Sequence, residues 1–522
     1  MFDSVFTRIK RNCISKNNWL SFFSGLSLVF AYAPYSQWWL VFLALPLFFY
    51  HLDLSSVKET TKQCFIFGVG WFASGISWVH VSIDQFGGMP LAISLTLMLM
   101  LCLYLAIFPA IAGFLSARFA HGTYYFYWLF VPCWIFTEWL RSWFLTGFPW
   151  LSLGYSQIDS PLSVLAPVIG EVGITLAMLV IVTAFTSLLK RQQQKRSLLL
   201  LGAIVAVIAT VGQIEWTEPT QQVKKVALVQ GNIAQELKWA PEQEWPSMLK
   251  YLDLTRKNYD ADIVVWPESA IPTVEPLAGE FLDIANQGAA INNAAIITGI
   301  LDYNMESKQA FNSLVVLGKK YQDDTEGSYY YPSSNRFYKH HLLPIGEFVP
   351  FQEFLRPLAP FFNLPQSSFT RGQYVQPNLI AQGLHIAPLI CFEIAFPEQL
   401  AANFTNQTDL LLTVSNDAWF GDSHGPHQHM DIARMRALEF GRPLLRSTNT
   451  GITAIVDHQG QYIARIPQFE EAVLKADVPL VSGRTPFSYL ERYPTFILSF
   501  ILFISIMLSQ RKNSPNLSLP NS

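Results

Sequence analysis

Three stretches of this chain carry a reactive side chain at the end of an apolar, strand-like run. Ile263-Val264-Val265 leads into Trp266-Pro267-Glu268-Ser269-Ala270, which puts a carboxylate at the exit of an apolar run. Partial desolvation there raises the pKa of an acid toward the range of a general base. Phe337-Tyr338-Lys339-His340-His341 alternates like a strand and passes into a Pro/Gly turn ending Gly346-Glu347-Phe348-Val349-Pro350, where Glu347 supplies a second carboxylate. Ile386-Ala387-Pro388-Leu389-Ile390 delivers Cys391-Phe392-Glu393 to the start of an expected helix. Such an elbow exposes a thiol to the dipole and N–H groups of a helix N-terminus, which favour a thiolate and an oxyanion. Singly, a loop Glu is usually solvated, a strand-end Lys usually superficial and a lone Cys usually a small buried hydrophobe. Together they form an acid, a cation and a nucleophile on three strand ends, where α/β folds place their active groups.

The elements that must position them begin near Val223, where short β-rich runs alternate with amphipathic stretches. This pattern predicts an α/β layered domain with helices covering a sheet. Expected strands are 223–229, 262–265, 295–298, 313–317, 384–390, 410–414 and 452–456; expected helices are 241–257, 277–287, 398–404 and 429–440. Some 270 residues are ample for a complete core.

The remainder of the chain is of another kind. Of 522 residues, 51% are hydrophobic and 14% charged, against about 25% charged in ordinary soluble domains. Mean hydropathy is +0.26, which excludes disorder and a wholly soluble protein. The 36 uncharged residues between Lys16 and Asp53 are broken at Ala33-Pro34-Tyr35-Ser36 and suffice for two membrane spans of about 18–20 residues each. Further apolar stretches at 65–83, 91–117, 124–137, 172–189, 197–214 and 494–508 bring the expected spans to eight. Lys and Arg fall on one side of them: Arg8, Lys10, Arg11, Lys16, Lys58, Lys62, Arg118, Lys190, Arg191, Lys195, Arg196, Arg511 and Lys512, with only Arg141 opposite. The positive-inside rule then puts both termini in the cytoplasm and 215–493 outside it. The expected domains are 1–214 with seven spans, 215–493 as the extracytoplasmic domain, and 494–522 with the last span and a polar tail expected to be disordered. A cleaved signal peptide at Ala31-Tyr32-Ala33 is disfavoured by Pro34 at the scissile bond. The aromatic segment between Trp139 and Glu171, including Trp143 and Trp150, is expected at the membrane interface, as an aromatic belt or as the wall of a lipid entrance in which Trp150 touches substrate. His80, Asp84, Glu138 and Arg141 are candidates for a polar path, but interface positions are expected for most of them.

The three strand ends resemble the Glu-Lys-Cys triad of the nitrilase superfamily over about residues 223–480. With seven apolar spans before that domain and one after it, the chain resembles the membrane-embedded members of that superfamily, the apolipoprotein N-acyltransferases. Gln230-Gly231-Asn232-Ile233, Gly346-Glu347-Phe348-Val349-Pro350, the run from Ser415 to Gly421, the run from Ala433 to Glu439 and Ser447-Thr448-Asn449-Thr450-Gly451 carry the resemblance further. It implies an eight-helix transmembrane bundle plus an extracytoplasmic α/β nitrilase-like domain, an α-β-β-α sandwich. It also implies Glu268 as general base, Cys391 as nucleophile, and Lys339 with the Phe392 backbone N–H as oxyanion stabilisers. Glu347 and Glu393 match the family's further acids and Trp239 an aromatic lid residue. Phe392 stands where many members have Tyr, which removes a hydroxyl and leaves the backbone donor. The implied reaction moves an acyl chain from the sn-1 ester of phosphatidylethanolamine through a Cys391 thioester to the α-amino group of a diacylglyceryl-cysteine at an apolipoprotein N-terminus. The implied setting is the bacterial inner membrane, with the catalytic domain on the periplasmic side.

Two other functions fit parts of the pattern. A membrane-anchored amidase would use water as acceptor and need few helices. A transporter with a ligand-binding outer domain would need charged or broken residues deep in several spans, whereas apart from Pro109 and Pro132 the spans look plainly apolar. No cofactor is expected, and no metal, since His424, His427 and His429 match no zinc spacing. Cys13, Cys64, Cys102, Cys133 and Cys391 show no metal or disulfide pattern. A net charge of -3 without like-charge runs argues against nucleic acid. The expected partners are membrane phospholipid and diacylated apolipoproteins, and one site per chain is complete in a monomer.

Overall fold

The computed structural model describes residues 15–344, 346–348 and 369–513. Arg8, Lys10, Arg11, Cys13, Ile345, Val349, Pro350, the Lys512 side chain and the tail beyond Asn513 lie outside the described residues. The chain divides into two compact units, one of residues 1–77, 95–214 and 490–522, the other of Trp78–Ser94 and Glu215–Tyr489.

In the first unit every expected apolar stretch carries a helix: α1 (Lys16–Ser27), α2 (Val41–His51), α3 (Val57–Gly75), α4 (Leu91–Ala120), α5 (Tyr125–Trp143), α6 (Ala166–Leu189), α7 (Gln194–Val211) and, near the C-terminus, α12 (Tyr493–Asn513). Only four helices among the described residues are long and apolar enough to cross a membrane: α4, α6 with the 3-10 turn before it, α7 and α12. A fifth passes if α3 is counted with the turns at Val79–Phe86, from which it is bent by 58°. Helix length and composition alone therefore do not establish eight spans. With 12 and 11 residues, α1 and α2 fall well short of a hydrocarbon core about 30 Å thick. Helix α5 carries Glu138 and Arg141 in its last turns. Apolar side chains nonetheless face outward, Leu199 at 75% and Phe500 at 66% exposure, a surface suited to lipid and not to water.

Glu138 and Arg141 are both buried within the protein, as an ion pair. The reason is local. After α5 the backbone leaves helical geometry, with positive φ at Leu145, Thr146, Gly147 and Leu151, and the freed carbonyls of Phe148 and Trp150 each accept from Arg141 Nη1 at 2.6 Å. A guanidinium can stay buried when every partner is supplied in this way. Trp143 and Phe144 face outward, as an aromatic belt would, whereas Trp150, Leu151 and Leu153 are buried inside this unit.

The second unit contains two sheets. The first is ordered β13 (Ala472–Gly483), β1 (Thr217–Gln230), β2 (Ile263–Val265), β4 (Ala295–Asn304), β5 (Gln309–Gly318), β6 (Arg336–Tyr338), with β3 (Ile271–Val274) pairing β4. The second is ordered β12 (Tyr462–Ile466), β11 (Thr453–Val456), β10 (Leu444–Thr448), β9 (Thr408–Ser415), β8 (Leu384–Ile390), β7 (Leu379–Ala381). Alternation separates the faces. Val226, Leu228, Ile263, Val265 and Ile297 from one sheet pack with Ile386, Leu410, Leu412 and Val414 from the other in one core. Their neighbours Ala227, Val229, Val264 and Ile296 face α8 (Glu244–Arg256) and α9 (Gly279–Ile291) in a second core. The unit also contains the short α10 (Pro397–Asn403) and the longer, buried α11 (Gly425–Phe440), which begins four residues before its expected start at 429.

Residues 78–94 lie in an apolar stretch of sequence but fold with this second unit. Trp78 Nε1 donates to Gln428 Oε1 at 3.2 Å and Ser82 Oγ to the Trp419 carbonyl at 2.6 Å. His80 and Asp84 belong to this segment and are half-buried.

Strands β2 and β4 run parallel, and the loop after β2 crosses Gly299 so closely that a Cβ there would meet Ser269 N at 2.5 Å, Pro267 O at 2.7 Å and Glu268 Cα at 2.8 Å. All three are backbone atoms with no freedom to step aside. Gly299→Ala is expected to cost about 1–3 kcal/mol and to lower the melting midpoint of the protein by scanning fluorimetry. An unchanged midpoint would mean that the Glu268 loop is slack.

Candidate active site

Glu268 lies midway along the loop between β2 and β3, Lys339 follows β6 directly, Glu347 lies eight residues further on, and Cys391 follows β8. The two sheets bring these four together. Lys339 Nζ lies 2.8 Å from Glu347 Oε1 and 3.4 Å from Glu268 Oε1, with all three side chains buried. Asn312 Nδ2, from β5, donates to Glu268 Oε1 at 2.7 Å and to Glu347 Oε1 at 3.1 Å. The Asn416 backbone N–H donates to Glu268 Oε2 at 3.0 Å. Burial alone would push the Lys339 ammonium down, but the two carboxylates outweigh it and hold its pKa above the ordinary lysine value. Cys391 interacts electrostatically with both Glu268 and Lys339.

The surroundings of Cys391 do not favour a resting thiolate. Burial first, and then the negative charge of Glu268, push the Cys391 pKa well above the ordinary thiol value, and Lys339 offsets this only in part. The helix N-terminus expected behind it is a five-residue 3-10 turn, Cys391–Ala395, too short to contribute much dipole. Cys391 itself has φ +55°, in the left-handed region, where a non-glycine residue is strained and needs bracing.

Two groups of residues supply the bracing. Glu393, fully buried, accepts the backbone N–H groups of His340 (2.7 Å) and His341 (3.0 Å) on Oε1 and that of Ile390 (2.8 Å) on Oε2, while Gln399 Nε2 donates to Oε1 at 2.7 Å. It thereby ties the segment after Lys339 to the Cys391 turn. On another side, His429 of α11 meets the Cys391 carbonyl with Nε2 at 3.2 Å, and its Nδ1 lies 3.1 Å from Asp417 Oδ1 and 3.0 Å from Arg446 Nη2. Arg446 also pairs Asp417 Oδ2 at 2.7 Å. Burial opposes ionisation of Asp417, yet the Arg446 guanidinium holds its carboxyl well below the usual range. Burial and Arg446 lower the His429 pKa and favour the neutral ring.

The remaining expected residues are Phe392, Trp239 and Trp150. Phe392 is buried, its ring 5.2 Å from Phe396 and 5.9 Å from His341. Trp239 is 37% exposed. Its neighbour Lys238 turns inward and donates to the Glu268 carbonyl at 3.1 Å, with a pKa lowered by burial to about 8. Trp150, 1% exposed, is placed within the first unit. Sequence reasoning did not single out Asn312, Lys238, Asp417 or Arg446 as individual site residues. An asparagine interrupting the apolar β5 run was the available signal for the first; His429 was weighed only as a metal ligand.

Because burial and Glu268 push the thiol pKa up, alkylation of Cys391 by iodoacetamide is expected to keep rising beyond pH 9 instead of levelling near the ordinary thiol pKa of about 8.5. Lys339→Met removes the nearby positive charge, so the reaction should slow at every pH below the plateau. A plateau below pH 8 would show a resting thiolate and contradict the geometry.

Residues 225–485 match the carbon-nitrogen hydrolase family, and residues 24–184 match the apolipoprotein N-acyltransferase N-terminal domain. An apolipoprotein N-acyltransferase of Shewanella oneidensis is 50% identical, with 94% of this chain and 96% of that one aligned. One from Photobacterium profundum is 49% identical over 94% of each chain. One from Haemophilus influenzae is 39% identical over 94% of this chain and 95% of its own. With both domains in sequence and full-length relatives at this identity, the chain belongs to the apolipoprotein N-acyltransferase family.

Proposed function

We propose that the chain transfers a fatty acyl group from a membrane phospholipid, the sn-1 ester of phosphatidylethanolamine, through a thioester on Cys391 to the free α-amino group of a diacylglyceryl-cysteine at an apolipoprotein N-terminus. The observation that carries this reading is Lys339 held between two buried carboxylates beside the Cys391 thiol. Glu268 has one oxygen engaged by Lys339 and Asn312 and the other by a single backbone donor, which leaves it lone-pair capacity to accept a proton.

In the first step Glu268 takes the thiol proton as sulfur attacks the ester carbonyl. The oxyanion forms beside the Lys339 ammonium and the Phe392 N–H. Collapse breaks the ester C–O bond, and Glu268 returns the proton to the departing lysophospholipid oxygen. In the second step the amine attacks the thioester carbonyl and gives a proton to Glu268. The C–S bond breaks, the thiol is reprotonated and an amide remains. Trp239 would act at the entrance. Glu393 would act by position, holding the Lys339 segment against the Cys391 turn. The supporting membrane arrangement is eight spans with both termini cytoplasmic and residues 215–493 on the periplasmic face of the bacterial inner membrane; the one-sided Lys/Arg distribution and the outward-facing apolar helices support it.

His429 enters this mechanism as a positioning residue. The Cys391 carbonyl can only accept, so Nε2 carries the ring proton and Nδ1 accepts from Arg446.

Incubation with phosphatidylethanolamine should add one acyl chain to the wild type and none to Cys391→Ala by intact-mass spectrometry, and a diacylated lipopeptide with a free amine should discharge it. Glu268→Gln should slow acylation by about 100-fold or more. An adduct on the alanine variant would overturn the assignment, and discharge by water as fast as by amine would favour an amidase. His429→Gln, which keeps a donor at the Nε2 position, should retain acylation within about tenfold, whereas His429→Asn, which cannot reach the Cys391 carbonyl, should lose far more in the chemical step with KM little changed. Equal loss in both would leave His429 a packing residue.

A further inference from the structure

We propose that a cavity at one end of the helical unit binds the headgroup of an anionic phospholipid, at a site separate from the reacting groups. The cavity, about 200 Å³, lies where α5 and α7 begin and α12 ends, and its wall includes Tyr124, Tyr125, Trp128, Arg196, Ser197 and Ser509.

Three features of this wall call for an anion. Helix α7 begins with neither a side-chain cap nor an acidic residue in its first turn, so its first N–H groups and the positive end of its dipole are uncompensated. Ser197, in that turn, is 1% exposed, and its hydroxyl has no hydrogen-bond partner. A buried hydroxyl left unsatisfied is costly, and the cavity is the space from which a partner can come. Arg196 forms no ion pair among the described residues. One charge, one orphaned hydroxyl and one helix end converge on the same space, and a phosphodiester has the oxygens to meet all three.

The rest of the wall selects a lipid over a free ion. Tyr124 and Tyr125 stack at 4.1 Å, Trp128, Leu200 and Ile506 complete an apolar lining, and the helices leading away from the cavity expose Leu199, Phe500, Ile501 and Ile504. Acyl chains can lie along those faces while the phosphate sits at the α7 terminus. Lys190, Arg191 and Lys195 precede or open the same helix. They add positive charge at the end assigned to the cytoplasmic face, and basic pockets between helices at that depth suit anionic headgroups. The inference uses the membrane arrangement proposed above but not the acyl-transfer chemistry.

Native mass spectrometry of the full chain in detergent, with phosphatidylglycerol, phosphatidylcholine or inorganic phosphate added separately, tests it. One phosphatidylglycerol per chain should be retained at least about tenfold more strongly than phosphatidylcholine, and phosphate at equal concentration should not displace it. Arg196→Gln should reduce retention about tenfold or more and Ser197→Val severalfold, whereas Lys195→Gln, on the same turn but off the cavity wall, should change it little. Equal retention of the two lipids, or by Arg196→Gln and wild type, would overturn the site. An equal loss in Lys195→Gln would show diffuse surface charge in its place, and displacement by phosphate would show an anion site without lipid selection. Acylation of Cys391 in each variant serves as the control for folding, and its absence from the wild type would count against the acyl-transfer reading and not against this one.

Discussion

A lysine ammonium buried between two carboxylates is the constraint on which the catalytic unit depends. The Lys339 ammonium is held there by its neighbours Glu268 and Glu347, because desolvation of an isolated charge costs several kcal/mol or more. Together, with Asn312 donating to both acids, they form a cluster whose removal in part would leave an uncompensated charge. The cluster joins β5, the loop after β2 and the segment after β6, so its formation depends on correct registry of the first sheet. The same sheet is anchored nearby by Arg336 at the start of β6, which pairs with Glu275 at 2.8 Å and Asp302 at 3.1 Å. That second buried ion group fixes the strand that delivers Lys339.

The nucleophile is governed by a different balance. Cys391 occupies a strained left-handed conformation and a setting that keeps its proton on. A protonated thiol is a poor nucleophile and a poor target for oxidants. In the proposed transfer it becomes reactive when a base takes its proton as the acyl donor arrives. The strain is borne by Glu393 on one side and by the His429, Asp417 and Arg446 group on another, so the geometry of one backbone residue rests on three elements of the second sheet and its helices.

The helical unit solves the same problem in an apolar solvent. Its outward-facing apolar side chains are large, aliphatic and aromatic, whereas Glu138, Arg141, Glu171 and Arg492 are buried. Arg141 is satisfied by Glu138 and by two carbonyls of a broken backbone, while Glu171 meets Arg492 at 3.3 Å and accepts from the Ser152 hydroxyl. Non-helical backbone is tolerated there because buried side chains supply its hydrogen-bond partners.

What the sequence determined by itself was periodicity and the residues at strand ends. The alternation of 223–229 or 384–390 is visible locally because one strand face must meet a core, and the apolar stretches are visible because lipid tolerates few charges. Glu268, Lys339 and Cys391 were legible from their position after such runs and from a family pattern. Tertiary structure alone decided the rest, because it depends on distance between residues remote in sequence. Asn312 bridges acids 44 residues before and 35 after it, and His429 reaches Cys391 across 38 positions. Nor does composition distinguish an arginine at a membrane interface from one buried on the carbonyls of Phe148 and Trp150. That outcome was set by a few positive φ angles, and a backbone break leaves little trace in hydropathy. The protonation state of Cys391 was likewise invisible, since it reflects the sum of burial and neighbouring charges that only the folded chain brings together.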